Sequence, residues 1–311
     1  MEVKIEQQII DYIGSKRPLH SKKIKYNLET TPNLTSELVN FLKAYHPYLE
    51  ANSINYFDLA DAYVLMLDQM TCARRAFLRT GRYPASDHAA VVEAVYADKK
   101  VMEKYMLGLA LSQFLWKHHF SLYSFYRTEI KKIGKVKKAL EIGSGHGLFL
   151  LELLKKGTGI ESIQVVDISA HSLALSKSLI STLKPGEIHR INFINSDIQI
   201  FESDEKFDLI TMGEVLEHVP DPEAILRSLY KLLSEGGRVY ISTCINCPTL
   251  DHVYHFRTVK EIHELFEKSG FSIESEVIAP SESRSEEDLE KYKIDISYGA
   301  LLKKAETSKH G

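Results

Sequence analysis

The sequence predicts an α/β fold in which a mostly parallel sheet packs between helices and an all-helical segment precedes it. Three observations carry the prediction. Near residue 133 the chain changes from helical periodicity to short strands alternating with helices. The first of those strands runs into the turn Gly143-Ser144-Gly145-His146-Gly147 and from there directly into an apolar helix. Strands that alternate with helices in this way pair in parallel through right-handed crossovers.

In the helical segment, Ile5, Ile9, Ile10 and Ile13 fall at helical spacing. Leu38, Phe41, Leu42 and Tyr45 repeat the pattern, with Thr35 or Ser36 placed to cap that helix. Phe57 to Leu78 is apolar on most sides, as in a helix buried against others, and Gly81-Arg82-Tyr83-Pro84 breaks it. Ala89 to Tyr126 reads as helical again and is rich in aromatic residues, among them Tyr96, Trp116 and Tyr123. Beyond residue 133 strands are expected at 137–142, 162–167, 190–195, 207–212 and 237–244, and helices at 146–156, 170–183, 222–234 and 258–269. The helix after Asp221-Pro222 carries Ile225, Leu226, Leu229, Leu232 and Leu233 on one stripe and stops at Gly236-Gly237. Thr258 and Glu261 form a capping box for the next. No crossover helix separates 271–278 from 293–302, so these two read as an antiparallel pair at the sheet edge. The acidic stretch Ser281 to Glu290 reads as an exposed loop. The expected division is a helical cap over 1–133, serving substrate binding or dimerisation, an α/β domain over 134–305, and a tail over 306–311.

Composition narrows the function. A hydrophobic content of 44% with 26% charged residues is that of a soluble globular protein. The 39 basic and 42 acidic residues leave a net charge of −3, so no global positive field recommends nucleic acid as a partner. The run of Lys131, Lys132, Lys135, Lys137 and Lys138 reads as a solvated linker. Cys72, Cys244 and Cys247 make no disulfide framework, and the C-x-x-C spacing of the last two lacks the second pair a zinc site needs, so it reads as incidental. The chain shows neither a signal-peptide core nor an apolar run of transmembrane length, and a cytoplasmic location is expected.

Three alternate glycines let the backbone pass close to a ligand. Dinucleotide-binding loops place the third glycine three residues after the second; here the step is two. Ligands of open parallel sheets bind beyond the carboxyl ends of the strands. Four such ends carry acids or glycine: Glu141 with its turn, Asp167, Asp197, and Met212-Gly213. This pattern, over about residues 137–303, resembles the class I S-adenosylmethionine (SAM) methyltransferases. The resemblance implies a Rossmann-like sheet whose last strand is antiparallel. It also implies SAM as cofactor, with Glu141, Gly143, Ser144, Gly145 and Gly147 forming its loop. Asp167, followed by Ile168, would take the ribose hydroxyls; Asp197, followed by Ile198, the adenine amino group; and Gly213 would open onto the donor. A sulfonium cofactor without phosphate suits an acid before the turn rather than a lysine.

A helical turn after Met212 would set Glu214, Glu217 and His218 at i, i+3 and i+4, on one face. Two carboxylates and an imidazole converging on a cleft suit a divalent ion. Asp251-His252 and His255 follow near the same rim. The combination resembles the metal-dependent O-methyltransferases of the ubiquinone pathway and the small-RNA 2′-O-methyltransferases. It implies that Glu214, Glu217, His218 and His252 hold a Mg-like ion, with His255 as a substitute ligand, and that His218, Glu217 and His252 carry the catalysis. The expected function is methyl transfer from SAM to a hydroxyl of a small molecule, free or bound to a carrier protein, in a monomer or homodimer. The alternatives are transfer to N or C without metal, RNA 2′-O-methylation, or non-catalytic SAM binding by a regulator. Tyr123, Tyr126 and Arg127 are expected near the cofactor or acceptor, and Arg74, Arg75, Arg79 and Arg82 in solvent.

Overall fold

The computed structural model describes residues 4–84, 91, 98–155 and 159–306. The described N-terminal part is helical, with α1 Ile5–Lys16, α2 Pro18–Thr30, α3 Leu34–Ala51, α4 Tyr56–Thr80, α5 Lys99–Ser112 and α6 Lys117–Lys132. A capping box of Asn55 and Asp58 starts α4, and Gly81, at φ +71°, ends it. Helix α3 begins one residue earlier than Thr35, behind Asn33 in left-handed conformation. The hydroxyls of Thr35 and Ser36 therefore donate to the carbonyls of Leu28 and Asn33 instead of capping. The helical reading from Ala89 onward is interrupted at residues 113–116, where the Leu115 carbonyl accepts from Asn27 Nδ2 at 3.1 Å. Its part at 89–90 and 92–97, Tyr96 included, lies outside the described residues, as does the tail beyond 306.

The α/β part runs β1 Lys138–Ile142, α7 Leu148–Lys155, β2 Ser162–Asp167, α8 Ala170–Leu183, β3 Ile191–Asn195, β4 Phe207–Gly213, α9 Pro222–Leu232, β5 Leu233–Ile245, α10 Val259–Lys268, β6 Phe271–Pro280, α11 Glu286–Lys291 and β7 Ile296–Lys304. Strand order is β3-β2-β1-β4-β5-β7-β6. Strands β1 to β5 pair in parallel, and β7 inserts antiparallel between β5 and β6. Two expectations are corrected. Strand β5 starts at Leu233, directly after α9, and passes through Gly236 in left-handed conformation rather than starting beyond it. The acidic stretch is partly helical, because Ser285 accepts from the Asp288 N–H and caps α11.

Alternation along β1 assigns its two faces. Ala139 packs with Val165, Leu209, Tyr240 and Leu301 and with Ile9, Leu38, Tyr63 and Leu111 of the N-terminal helices, in one continuous apolar cluster. Leu140 and Ile142 face the opposite layer, with Ile210, Leu226, Leu229, Ile262 and Phe266. Helix α6 lies against β6 and β7: a Cβ on Gly299 would come within 2.9 Å of Leu122, and Ser275 donates to Glu129 Oε2 at 2.9 Å. No described helix is long and apolar enough to cross a membrane.

Candidate active site

The carboxyl ends of β1, β2, β4 and β5 and the loop after β3 open onto one cavity, roofed by α4, α5 and α6. Beyond β1, Gly143, Gly145 and Gly147 have φ values of +71°, +44° and +75°, a conformation that side-chain-bearing residues adopt at a cost. Space excludes a side chain at two of them, since a Cβ on Gly143 would stand 2.4 Å from Val215 Cγ2 and one on Gly147 2.9 Å from Leu179 Cδ2. The Gly143 N–H donates to the Val166 carbonyl at 2.9 Å and ties the turn to β2. The Asp167 carboxylate accepts from Ser169 N–H at 2.9 Å, the Ser144 hydroxyl at 3.3 Å and Gly145 N–H at 3.4 Å. Burial nevertheless pushes its carboxyl above the ordinary aspartate range. His146 Nδ1 accepts from Leu148 N–H at 3.1 Å and closes the first turn of α7, while burial holds its imidazole down to about 4.

Ser144, Ile168, Asp197, Ile198 and Gly213 also line the cavity. Asp197 is fixed by Gln199, whose backbone and side-chain nitrogens donate to it at 2.8 and 3.1 Å. Glu141 is placed differently. As a neighbour of Ala139 in the two-residue strand period it faces the N-terminal helices, and it is not among the cavity residues. Its carboxyl accepts from the Thr211 hydroxyl at 2.6 Å, and burial pushes it up to about 7.

The second group begins where β4 ends. No helical turn follows Met212: Gly213 completes the strand, Glu214 has φ +53°, and only Leu216–His218 form a short 3₁₀ turn. This bend still gathers the three side chains. Glu214 and His218 line the cavity, whereas Glu217 is fully buried behind its wall. Thr243 donates to Glu217 Oε2 at 2.7 Å, and the Glu217 carbonyl accepts the N–H groups of Val253 and Tyr254, both at 2.9 Å. Those two bonds bring the loop after β5 back over the turn and set His252 Nε2 4.0 Å from Glu217 Oε1.

Each imidazole has its Nδ1 on an oxygen. His218 Nδ1 is 3.1 Å from the Asp251 carbonyl and 3.5 Å from its carboxylate; His252 Nδ1 is 2.6 Å from the Cys247 carbonyl. These oxygens can only accept, so both rings carry the proton on Nδ1 and leave Nε2 as a lone pair. Burial holds His252 down to about 3. Burial acts to raise Asp251, but the two imidazoles and the Thr249 hydroxyl outweigh it together and leave it below the ordinary value. Burial raises both glutamates, Glu217 the more strongly, with the Glu214 charge adding to it. Oε1 of Glu214 is buried without a hydrogen bond. Glu217, His218 and His252 present ligand atoms within 4.8 Å of one another, as do Glu214, Glu217 and Cys244. This donor set, with an unpartnered carboxylate oxygen, fits a cation.

A family described as "Methyltransferase domain" matches residues 115–276, just over half of the sequence. The chain belongs to the SAM-dependent methyltransferase family. Ubiquinone biosynthesis O-methyltransferase of Pseudomonas entomophila is 32% identical over 107 residues, 34% of this chain and 44% of that protein. The protein of the same description from Pseudomonas fluorescens is 29% identical over 171 residues, 54% of this chain and 71% of that one. The chain thus spans less than half the length of the first of these relatives. N-methyltransferase NodS of Bradyrhizobium japonicum, solved with S-adenosyl-L-homocysteine, superposes with a TM-score of 0.51 at 16% identity, over 71% of this chain and 100% of that one. The mitomycin 7-O-methyltransferase MmcR gives 0.53 at 14%, over 80% and 70%. These two likenesses show the fold.

Within this methyltransferase, several residues singled out in the sequence fall away from the cavity. His255 bonds Asn246 and packs on Tyr83 and Phe77. The hydroxyls of Tyr123 and Tyr126 donate to Glu152 and to the Phe149 carbonyl, and Arg127 pairs with Glu37; none of the three lines the cavity. Arg74 is not solvated but donates to the carbonyls of Asn246 and Tyr292. Cys244, read as incidental, lies 3.7 Å from His252 Nδ1 and 4.0 Å from Glu217 Oε1. Asp251 stands out in the sequence only as the neighbour of His252, without a role of its own, and the lining residues Met102, Met106, Gln113 and His119 carry no sequence signal for the cavity. Helical periodicity marks these last as inward-facing but not as cavity-facing.

Proposed function

We propose that the chain is a SAM-dependent O-methyltransferase acting on a hydroxyl of a small molecule, with a divalent cation held by Glu214, Glu217, His218 and His252. The observation that carries this reading is the orientation of the two imidazoles. Both are fixed through Nδ1 by oxygen acceptors, the arrangement that outer partners impose on metal-ligating histidines, and both stand beside a buried carboxylate pair, with ligand atoms of Glu217, His218 and His252 within 4.8 Å of one another. The same cavity carries the glycine turn, Asp167 and Asp197, which in this reading take SAM. The ubiquinone-pathway likeness supports transfer to oxygen.

A hydroxyl is a weak nucleophile at neutral pH. A divalent ion at the four residues would supply Lewis-acid stabilisation of the forming alkoxide. The chain contributes the rest: the loop and strand ends orient the donor, and the apolar roof of Met102, Leu109 and Leu122 excludes water from the transfer. Without an ion at these residues, the hydroxyl proton would instead need a side-chain base. His218 is the better of the two imidazoles, because Asp251 stands beside its Nδ1 and balances the imidazolium, whereas burial opposes a charge on His252. It can act as base only from outside the ligand set, and a chelator separates the two assignments.

Glu217→Gln and His218→Ala are expected to lower kcat by about a hundredfold or more. Their affinity for SAM, read by calorimetry, should stay within about threefold of the parent. Full activity of the parent in EDTA would remove the cation from the reading and leave His218 as base. Unchanged kcat in both variants would remove the whole group.

A further inference from the structure

His119 stands in the same cavity, on the side built by the N-terminal helices, and the chemistry above gives it no part. It lies in the first turn of α6, across the break from Ser112 at the end of α5. The Ser112 hydroxyl has a single proton and donates it to the Leu109 carbonyl at 2.7 Å. The 2.8 Å contact between Ser112 Oγ and His119 Nδ1 must then be donated by the ring. Burial holds the imidazole well below its ordinary pKa, so the ring is neutral and Nε2 is a lone pair. The Gln113 side-chain nitrogen, 3.5 Å from the same Nδ1, is a donor and has the Leu109 carbonyl as its acceptor at 3.4 Å; no described residue bonds Nε2, and His119 lines the cavity. Nε2 is therefore an acceptor that no described residue occupies.

Its surroundings define what would bind there. Met102, Met106, Leu109, Leu122 and Phe149 make this side apolar. Among the described residues no Lys or Arg lines the cavity. Four carboxylates do line it, those of Asp167, Asp197, Glu214 and Asp251. An anionic substituent would enter a low-dielectric site of its own sign without a side-chain cation to pair with.

We propose that His119 positions the methyl acceptor, its Nε2 accepting a hydrogen bond from a hydroxyl of an uncharged, largely apolar molecule. This rests on the methyltransferase reading above and adds to it the class of acceptor and the residue that selects it.

Trp116 is the one tryptophan of the chain, and its ring centroid is 4.6 Å from that of His119, so its fluorescence reports on this side of the cavity. The full-length protein, saturated with S-adenosylhomocysteine and kept in EDTA so that no cation binds the probes, is titrated with tert-butylcatechol, with its dimethyl ether, which lacks the donor, and with dihydroxybenzoate, which adds a carboxylate. The catechol is expected to bind about tenfold or more tightly than either of the others, the ratio set by one buried hydrogen bond left unmade or one charge left unpaired. His119→Phe should bring the catechol down to the affinity of the ether. His119→Gln, whose amide oxygen can replace Nε2, should restore the difference. Calorimetry with S-adenosylhomocysteine on each variant shows that the fold and cofactor side are intact. A catechol preference that survives His119→Phe, tight binding of dihydroxybenzoate, or no response of Trp116 to any probe overturns the proposal. Failure of the parent to bind S-adenosylhomocysteine would overturn the methyltransferase reading itself, and this inference with it.

Discussion

Glu141 shows how one residue can be conspicuous in the sequence and still need the structure to assign its work. Its place at the end of β1, before the glycine turn, marks it as a cofactor residue; the strand period instead turns it into the helical layer, bound to Thr211. Its folded-state pKa of about 7 against an ordinary 4.5 means that the folded chain holds the proton more tightly than the unfolded chain. The resulting stabilisation is complete below about pH 4.5 and is lost as pH rises through 7. Glu141→Gln lacks this titration. Between pH 5 and pH 8 the parent should lose up to about 3 kcal/mol relative to the variant, read as the difference between their denaturant midpoints. A difference that stays constant across that window would show that Glu141 does not titrate there. At Gly143 the conflict is steric: Gly143→Ala combines positive φ with a 2.4 Å approach to Val215. It should cost about 2 kcal/mol or more and weaken SAM binding, measured by thermal unfolding and calorimetry. The spacing of Glu214, Glu217 and His218 was legible as a group, but the bend that gathers them was not, because a positive φ at a glutamate has no pattern in the sequence.

At the scale of elements, the alternation of strands and helices could be read directly, since each element buries one stripe or face. The ends were less legible. Strand β5 continues through Gly236 because its partners β4 and β7 hold it there, and α11 forms because Ser285 caps it. The loop that carries Asp251 and His252 depends on contacts from distant elements. Its two bonds to the Glu217 carbonyl join it to the turn after β4, and Arg74 of α4 donates to the Asn246 carbonyl at 3.0 Å. Arg74→Ala should therefore loosen residues 246–256 by about 1–2 kcal/mol, visible as faster amide exchange there with little change in β1 or β4. Exchange unaltered in that loop would mean that Arg74 does not hold it.

Over the whole molecule, the apolar cluster runs from Ile9 and Leu38 through Tyr63 and Leu111 to Val165, Leu209 and Leu301 without a break at residue 133. A chain beginning at residue 134 would expose the sheet face that these helices cover, and it is expected to aggregate or stay unfolded, as size-exclusion chromatography and denaturant titration would report. A monomeric, cooperatively unfolding fragment would show instead that the helical part is dispensable for folding. The parallel sheet, the glycine turn with its acids at the strand ends, and the glutamate–histidine group are all legible along the chain. These are local patterns, set by side-chain periodicity and by what a turn permits. Packing of the layers places Glu141 outside the cavity lining, Cys244 beside Glu217, and His119 with the methionines of α5 in the roof of the site. Those relations join residues far apart in the chain, and they are fixed by how the layers pack rather than by any spacing along it.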